Sequence, residues 1–134
     1  MKIYDYLFYK TYILAEKSRN FEGIPVLGGI IFVGFCVVMN VGAIVMLAEG
    51  FGINVDIDFG GWHKYPLGIG TTALLLFYYY HKGRYRKIIG RYEAKAAGRK
   101  KIHPLIVIAI YYVSSFGLAL LTGLFKNKDW IFAP

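Results

Sequence analysis

The sequence predicts an all-α integral membrane protein with three transmembrane helices, and composition is the first support. Its 134 residues are 57% apolar or aromatic and only 18% charged, whereas soluble domains average about a quarter charged. The mean hydropathy is +0.46. A single cysteine, Cys36, excludes an internal disulfide. These values exclude a disordered, fibrous or disulfide-stapled chain and disfavour a soluble enzyme, while the length fits one domain.

Long uncharged runs are the second support. Residues 24–48 and 104–125 contain no Asp, Glu, Lys or Arg, and a helix needs about 20 apolar residues to cross the hydrocarbon core. Pro25 and Pro104 stand at the first turn of each run, where a missing N–H is harmless. We therefore expect the first span over 24–48 and the third over 104–125.

The middle span, predicted over 65–81, is shorter. The uncharged run is 65–80, and counted from Trp62 to Tyr80 a helix would be roughly 28 Å long, with aromatic rings at both headgroup layers. Gly68 and Gly70 interrupt the run, so a re-entrant segment is the alternative. The loop over 49–64 is expected on the outer side.

The first 20 residues are too short and too charged to span. Apolar and aromatic residues there surround Asp5 and Lys10. This pattern is typical of an amphipathic helix in the headgroup layer. The alternative is a cap that packs on the bundle of spans.

The charge distribution predicts the orientation. Residues 82–103 hold nine Lys or Arg against one acid, Glu93, and so carry the whole net charge of +8. With three spans, the amino terminus and this basic segment share a side that has 13 Lys or Arg, and the other side has three. The positive-inside rule then places the amino terminus in the cytoplasm and the tail, 126–134, outside.

The basic segment contains a predicted amphipathic helix over 84–97, because Tyr85, Ile88 and Tyr92 recur at helical spacing. Its cations could bind a nucleotide or nucleic acid; the alternative is anionic lipid, at about 1 kcal/mol per basic residue. The candidate contacts are Lys82, Arg84, Arg86, Lys87, Arg91, Lys95, Arg99, Lys100 and Lys101.

The sequence contains no recognisable combination of catalytic or metal-binding residues. Ser114 and Ser115 lie mid-span, far in depth from every histidine, and the spans hold no carboxylate pair. His81 and His103 could approach one another but lack a third metal ligand. The match of residues 68–73 to G-x-G-x-x-A lies at a membrane helix start and lacks the required strand. We expect no catalytic residues, no metal, no cofactor and no enzymatic activity.

Small and polar residues form one seam on each long span. Asn40 lies deep in the first span, so its amide should bond another helix or line water. The seams could pack the three spans of one chain together, or join copies and line a pore. Their members are Gly29, Cys36, Asn40 and Ala43 in the first span, and Tyr111, Ser115, Ala119 and Gly123 in the third.

The aromatic start YDYLFYK at 4–10 and the motif IPVLGG at 24–29, followed by three spans with a basic segment before the last, carry a resemblance. The chain resembles small uncharacterised three-span membrane proteins of Bacteroidetes-type bacteria. That resemblance implies a bacterial inner membrane and no catalytic activity. In size and plan only, the chain is also similar to small membrane effectors of bacterial phage-defence systems.

Two functions fit these features. The first is a homo-oligomeric pore or membrane effector, whose basic cytoplasmic segment receives anionic lipid or a nucleotide or oligonucleotide signal. The second is an accessory or assembly subunit of a larger membrane complex. Membrane lipid is the expected partner of both.

Overall fold

The computed structural model describes residues 2–55, 61–62, 64–99 and 102–128, and within these ranges the chain is helical with no strand. Two short 3-10 helices, Arg19–Phe21 and His81–Gly83, join longer elements. The five α-helices are α1 (Lys2–Lys17), α2 (Pro25–Gly50), α3 (Lys64–Tyr80), α4 (Arg84–Ala96) and α5 (Pro104–Lys126).

Helices α2 and α5 pack side by side and run parallel. Near the middle of the two helices, the Cys36 thiol lies 3.1 Å from the Ser115 hydroxyl. At their carboxyl-terminal ends, Lys126 forms a 2.8 Å salt bridge with Glu49. By length and composition, these two helices are able to cross a membrane. They coincide with the predicted first and third spans, and each begins with the expected proline.

Helix α3 runs antiparallel to α2. A Cβ built on Gly34 would lie 3.5 Å from the Leu75 side chain, and Tyr79 at the end of α3 stacks on Phe8 of α1. With 17 residues, α3 is roughly 25 Å long. It is not among the two helices that are long and apolar enough to cross, so the third crossing remains a prediction.

Helix α1 runs back beside the first half of α2 instead of lying across the end of the bundle. The Thr11 hydroxyl lies 3.4 Å from the Gly29 carbonyl oxygen, and Tyr4 reaches Asn40, past the middle of α2. Leu7 and Phe8 are fully buried. The amino-terminal helix therefore packs on the bundle, where Gly28 and Gly29 let α1 and α2 approach closely, and its place in the headgroup layer stays a prediction.

Helix α4 is separated from α3 by a sharp turn. Lys82 and Gly83 both adopt left-handed backbone angles, with φ of 54° and 64°. Behind the turn, Ile88 is buried and the Tyr92 ring packs on Tyr6 of α1, 5.4 Å between centroids. The predicted amphipathic helix is confirmed, with its apolar side on α1 and its cations outward.

Candidate anion-binding site

An open groove of about 710 Å³ lies between α1, the last turns of α3, and α4. We call it the α3–α4 groove. One wall is apolar and the other is cationic. Its lining residues are Asp5, Leu74, Leu75, Phe77, Tyr78, His81, Lys82, Arg84, Lys87, Ile88 and Arg91.

Four cations make the charged wall. Lys82 lies in the left-handed turn between α3 and α4. The 3.6-residue period of α4 brings Arg84, Lys87 and Arg91 to one face of that helix. Within the described ranges no carboxylate forms a salt bridge with any of the four. The Arg84 guanidinium lies over the Tyr78 ring, 4.1 Å from its centroid. The wall is therefore available to an anion.

One carboxylate faces these cations from α1. Asp5 is only 5% exposed, and its Oδ1 atom has no hydrogen-bond partner. Burial raises the pKa of Asp5, whereas the positive charges of Arg84 and Arg91 oppose that rise. The hydroxyl of Tyr78 is a second buried polar atom without a partner. Both residues line the α3–α4 groove, so this is where the described molecule leaves polar groups unsatisfied.

The structure divides the predicted cationic residues among several places. Lys82, Arg84, Lys87 and Arg91 line the α3–α4 groove. Lys95 and Arg99 line a second groove, between α1 and α4, of about 820 Å³. Arg86 belongs to neither lining and donates to the Tyr85 hydroxyl at 3.1 Å. Lys100 and Lys101 lie outside the described residues.

Asp5 lines the α3–α4 groove and Lys10 lines the second groove, although the sequence pattern shows both only as charges that prevent spanning. Both are buried. The Lys10 ammonium donates to the Ile102 carbonyl oxygen at 2.9 Å and lies over the rings of Tyr6 and Tyr9. In the sequence, each of the two is an isolated charge among apolar and aromatic residues. Burying such a charge costs free energy unless a neighbouring helix supplies hydrogen-bond partners, so this pattern could have indicated a buried polar contact.

The seam of α2 is used within the chain. The Asn40 amide donates to the Tyr4 hydroxyl at 2.9 Å, Cys36 faces Ser115, and Gly29 receives the Phe8 ring. Ala43 and Cys36 are each 1% exposed. Of the alternatives for this seam, the structure has packing within one chain, and contact between copies through Cys36 would require that packing to open.

The seam of α5 also faces inward in part. Tyr111 donates to the Ile3 carbonyl oxygen at 3.0 Å, and a Cβ on Gly123 would lie 3.8 Å from the Met46 sulfur. Ala119 is half-buried. Beside this seam, a shallow groove of about 300 Å³ is lined by Ile3, Tyr4, Asn40, Ile110, Tyr111, Ser114, Ser115 and Leu118.

Metal-ligating side chains do not converge in the part of the chain that the structure describes, where no three of His, Cys, Asp and Glu could hold an ion together. The expectations of no cofactor and no catalysis remain predictions. Comparisons with protein-family models, with curated proteins and with solved structures find no match to this chain.

Proposed function

We propose that this is a non-enzymatic, three-span protein of the bacterial inner membrane, in which the cationic wall of the α3–α4 groove binds phosphate-bearing anions at the cytoplasmic surface. The observation that carries the proposal is the cationic wall. Lys82, Arg84, Lys87 and Arg91 face one groove without a salt-bridge partner in the described ranges. Such a cluster attracts phosphate groups through charge and hydrogen bonding.

The third crossing is supported by the direction of the helices. Because α2 and α5 run parallel and α3 packs on α2 in the opposite sense, the ends at Pro25, Tyr80 and Pro104 lie toward the same end of the bundle. The basic helix α4 lies at that end. A crossing by α3 puts the cation-rich segments on one side, as the positive-inside rule requires.

Cysteine labelling on intact cells tests this topology. In a Cys36→Ser background, Asn54→Cys lies in the loop after α2 and Lys95→Cys on the exposed side of α4. An impermeant thiol reagent should label Asn54→Cys at once and Lys95→Cys only after the membrane is permeabilised. The reverse pattern would invert the orientation, and equal labelling of both would remove the third crossing.

Anion binding is tested on the protein purified in neutral detergent. Mixed micelles with phosphatidylglycerol and a single-stranded oligonucleotide are added separately, and the unfolding temperature is measured. We expect at least one to raise it, less so at 0.5 M than at 0.05 M salt, because screening weakens exposed charge pairs. Changing Lys82, Arg84, Lys87 and Arg91 to Gln should abolish the effect. A wild-type protein that responds to neither ligand would contradict the proposal.

A homo-oligomeric pore or effector is the second candidate, and the shallow groove beside α5 favours it. Ser114 is exposed near the middle of α5, where hydrocarbon offers no hydrogen bond, and Asn40 and Tyr111 line the same groove. A second copy or a water-filled path would give the Ser114 hydroxyl a partner. An accessory subunit of a larger complex would instead place another protein there.

Native mass in mild detergent and ion flux from liposomes separate these alternatives. A pore should form a discrete oligomer that passes ions, and Ser114→Leu should lower its mass while the neighbouring Val113→Leu does not. A monomer that passes no ions excludes the pore. A stoichiometric complex with another protein favours the accessory subunit.

A further inference from the structure

The α3–α4 groove joins an apolar surface to a cationic one. Its apolar wall comes from the last turns of α3, where Leu74 and Phe77 are 72% and 68% exposed. These two side chains face away from the protein at the end of a proposed span. The wall therefore continues into the region where lipid chains would lie, while α4 covers the opposite side with charge.

The charge of the groove sets the sign of its ligand. Lys82, Arg84, Lys87 and Arg91 oppose a single carboxylate, Asp5. A ligand that satisfies this wall carries net negative charge, and phosphate oxygens match arginine and lysine donors. A zwitterionic headgroup would bring no net charge to the cationic side.

The unsatisfied polar atoms of the groove define a second requirement. Asp5 Oδ1 and the Tyr78 hydroxyl are buried without partners, and a buried carboxylate oxygen needs a hydrogen-bond donor. Phosphate oxygens alone would repel ionised Asp5. A ligand with hydroxyl groups beside its phosphate supplies both the anion and the donor.

We propose that the α3–α4 groove binds one anionic phospholipid whose headgroup carries hydroxyl groups, of the phosphatidylglycerol type. The phosphate lies among Arg84, Lys87 and Arg91, a headgroup hydroxyl donates to Asp5, and an acyl chain lies along Phe77. This inference rests on the proposed function, since it identifies the anion that the same cations receive. A nucleotide would leave the apolar wall uncovered.

A lipid series on the wild-type protein tests the headgroup and the source of the phosphate. Binding is measured by native mass spectrometry or unfolding temperature in neutral detergent, with phosphatidylglycerol, phosphatidylmethanol, phosphatidylcholine and glycerol 3-phosphate. Phosphatidylmethanol has the same charge as phosphatidylglycerol but no headgroup hydroxyl. We expect phosphatidylglycerol to bind at least about fivefold more tightly than phosphatidylmethanol, because only its hydroxyl satisfies Asp5. Phosphatidylcholine and glycerol 3-phosphate should bind more weakly still.

Two variants with equal loss of charge separate the groove from general attraction to the surface. Lys87→Gln with Arg91→Gln removes two cations that line the groove, whereas Arg86→Gln with Lys95→Gln removes two cations of α4 that do not line it. We expect the first pair to weaken phosphatidylglycerol binding at least about tenfold and the second to change it by less than about twofold at 0.15 M salt.

Four results would contradict the lipid proposal or the proposed function on which it rests. Equal losses in both paired variants would overturn the groove as the binding site while leaving charge-driven anion binding intact. Equal affinity for phosphatidylglycerol and phosphatidylmethanol would overturn the hydroxyl contact to Asp5. Glycerol 3-phosphate that binds as tightly as the lipid would make a free phosphate compound the ligand. A wild-type protein that binds neither the anionic lipids nor an oligonucleotide would overturn the proposed function itself.

Discussion

Helices α1 and α5 both pack on α2, yet the charged helix α1 buries polar side chains, whereas the largely uncharged helix α5 exposes apolar ones. The charged helix α1 buries Asp5, Lys10 and Thr11, each at most 7% exposed. Only 22% of an 18-residue apolar stretch of α5 is buried, and Val113 and Phe116 are 71% and 60% exposed. In proteins surrounded by water, apolar faces turn inward and charges outward. Such exposure is typical of a helix that contacts lipid, and α5 is able to cross a membrane by length and composition.

The partners of the buried groups explain why α1 is tolerated inside. Lys10 donates to the carbonyl oxygen of Ile102, and the Thr11 hydroxyl donates within its own helix to Leu7 and Phe8. Hydrocarbon offers no such partners, so a polar side chain in a membrane protein is stabilised by facing other helices. Asp5 is the exception, and its partner is the ligand that we propose.

The exposed face of α5 gives the largest expected effect. Val113→Asp places a carboxylate near the middle of the helix, where an ionised side chain costs about 2.5–3.5 kcal/mol in membrane insertion. Less of the variant should remain in the membrane pellet after alkaline carbonate extraction. Val113→Leu is the matched control and should behave as wild type. A soluble, folded Val113→Asp protein would show that α5 faces water.

The contact between α1 and α2 comes next. A Cβ on Gly28 would lie 2.9 Å from the Ala15 Cβ, so Gly28→Ala should overpack the contact and lower the free energy of unfolding by about 1–3 kcal/mol. Gly42→Ala, where a Cβ meets nothing within 4 Å, is the matched control. Thermal unfolding in detergent measures both. Equal stability of the two variants would mean that α1 is not held against α2.

Asp5 should make stability depend on pH. Burial raises its pKa above the ordinary value of about 3.9. The folded chain thus binds this proton more tightly than the unfolded chain. The resulting stability is fully present below the ordinary value and is lost as pH rises through the raised pKa.

Asp5→Asn should therefore stabilise the lipid-free protein by about 1 kcal/mol at pH 7 and have little effect at pH 3.5. Unfolding temperatures of both proteins across this range check the expectation. Lys10→Gln on the same helix serves as the control for loss of a buried charge. A destabilised Asp5→Asn protein at pH 7 would indicate that ionised Asp5 has a partner.

The hydrogen bond between α1 and α2 gives the smallest expected effect. Asn40→Leu removes the donor to Tyr4, and interhelical bonds of this kind average about 0.6 kcal/mol. Tyr4→Phe removes the acceptor, so a double-mutant cycle should give a coupling energy of this size. Native mass should be unchanged by Asn40→Leu, since the amide is satisfied within the chain. A shift toward smaller oligomers would contradict that assignment.

Much of the helical framework could be read from the sequence because its signals are local. The uncharged runs and their leading prolines predicted α2 and α5 to within a few residues, and the period of Tyr85, Ile88 and Tyr92 predicted α4. The break between α3 and α4 was not predicted. It depends on left-handed angles at Lys82 and Gly83, and Lys rarely adopts them.

The candidate site was half predictable. The cations of α4 were found because a cluster of like charge is visible along the chain. Asp5 was not found, since a residue 79 positions before Arg84 joins it only when α1 folds back into the bundle. The same fold decided the partner of Asn40, because Tyr4 competes with any second copy for one amide.

The sequence by itself determined that the main segments are helical, that the runs over 24–48 and 104–125 are apolar enough to cross a membrane, and where the positive charge collects. These properties follow from runs and periods of neighbouring residues, which the backbone geometry of a helix converts directly into faces. Only the tertiary structure decided that α1 packs lengthwise on α2, that the Cys36 and Asn40 seam is buried within one chain, and that Asp5 faces the cations of α4. Those outcomes depend on which helices approach closely enough to exchange hydrogen bonds, and glycines such as Gly28 permit that approach without encoding the partner.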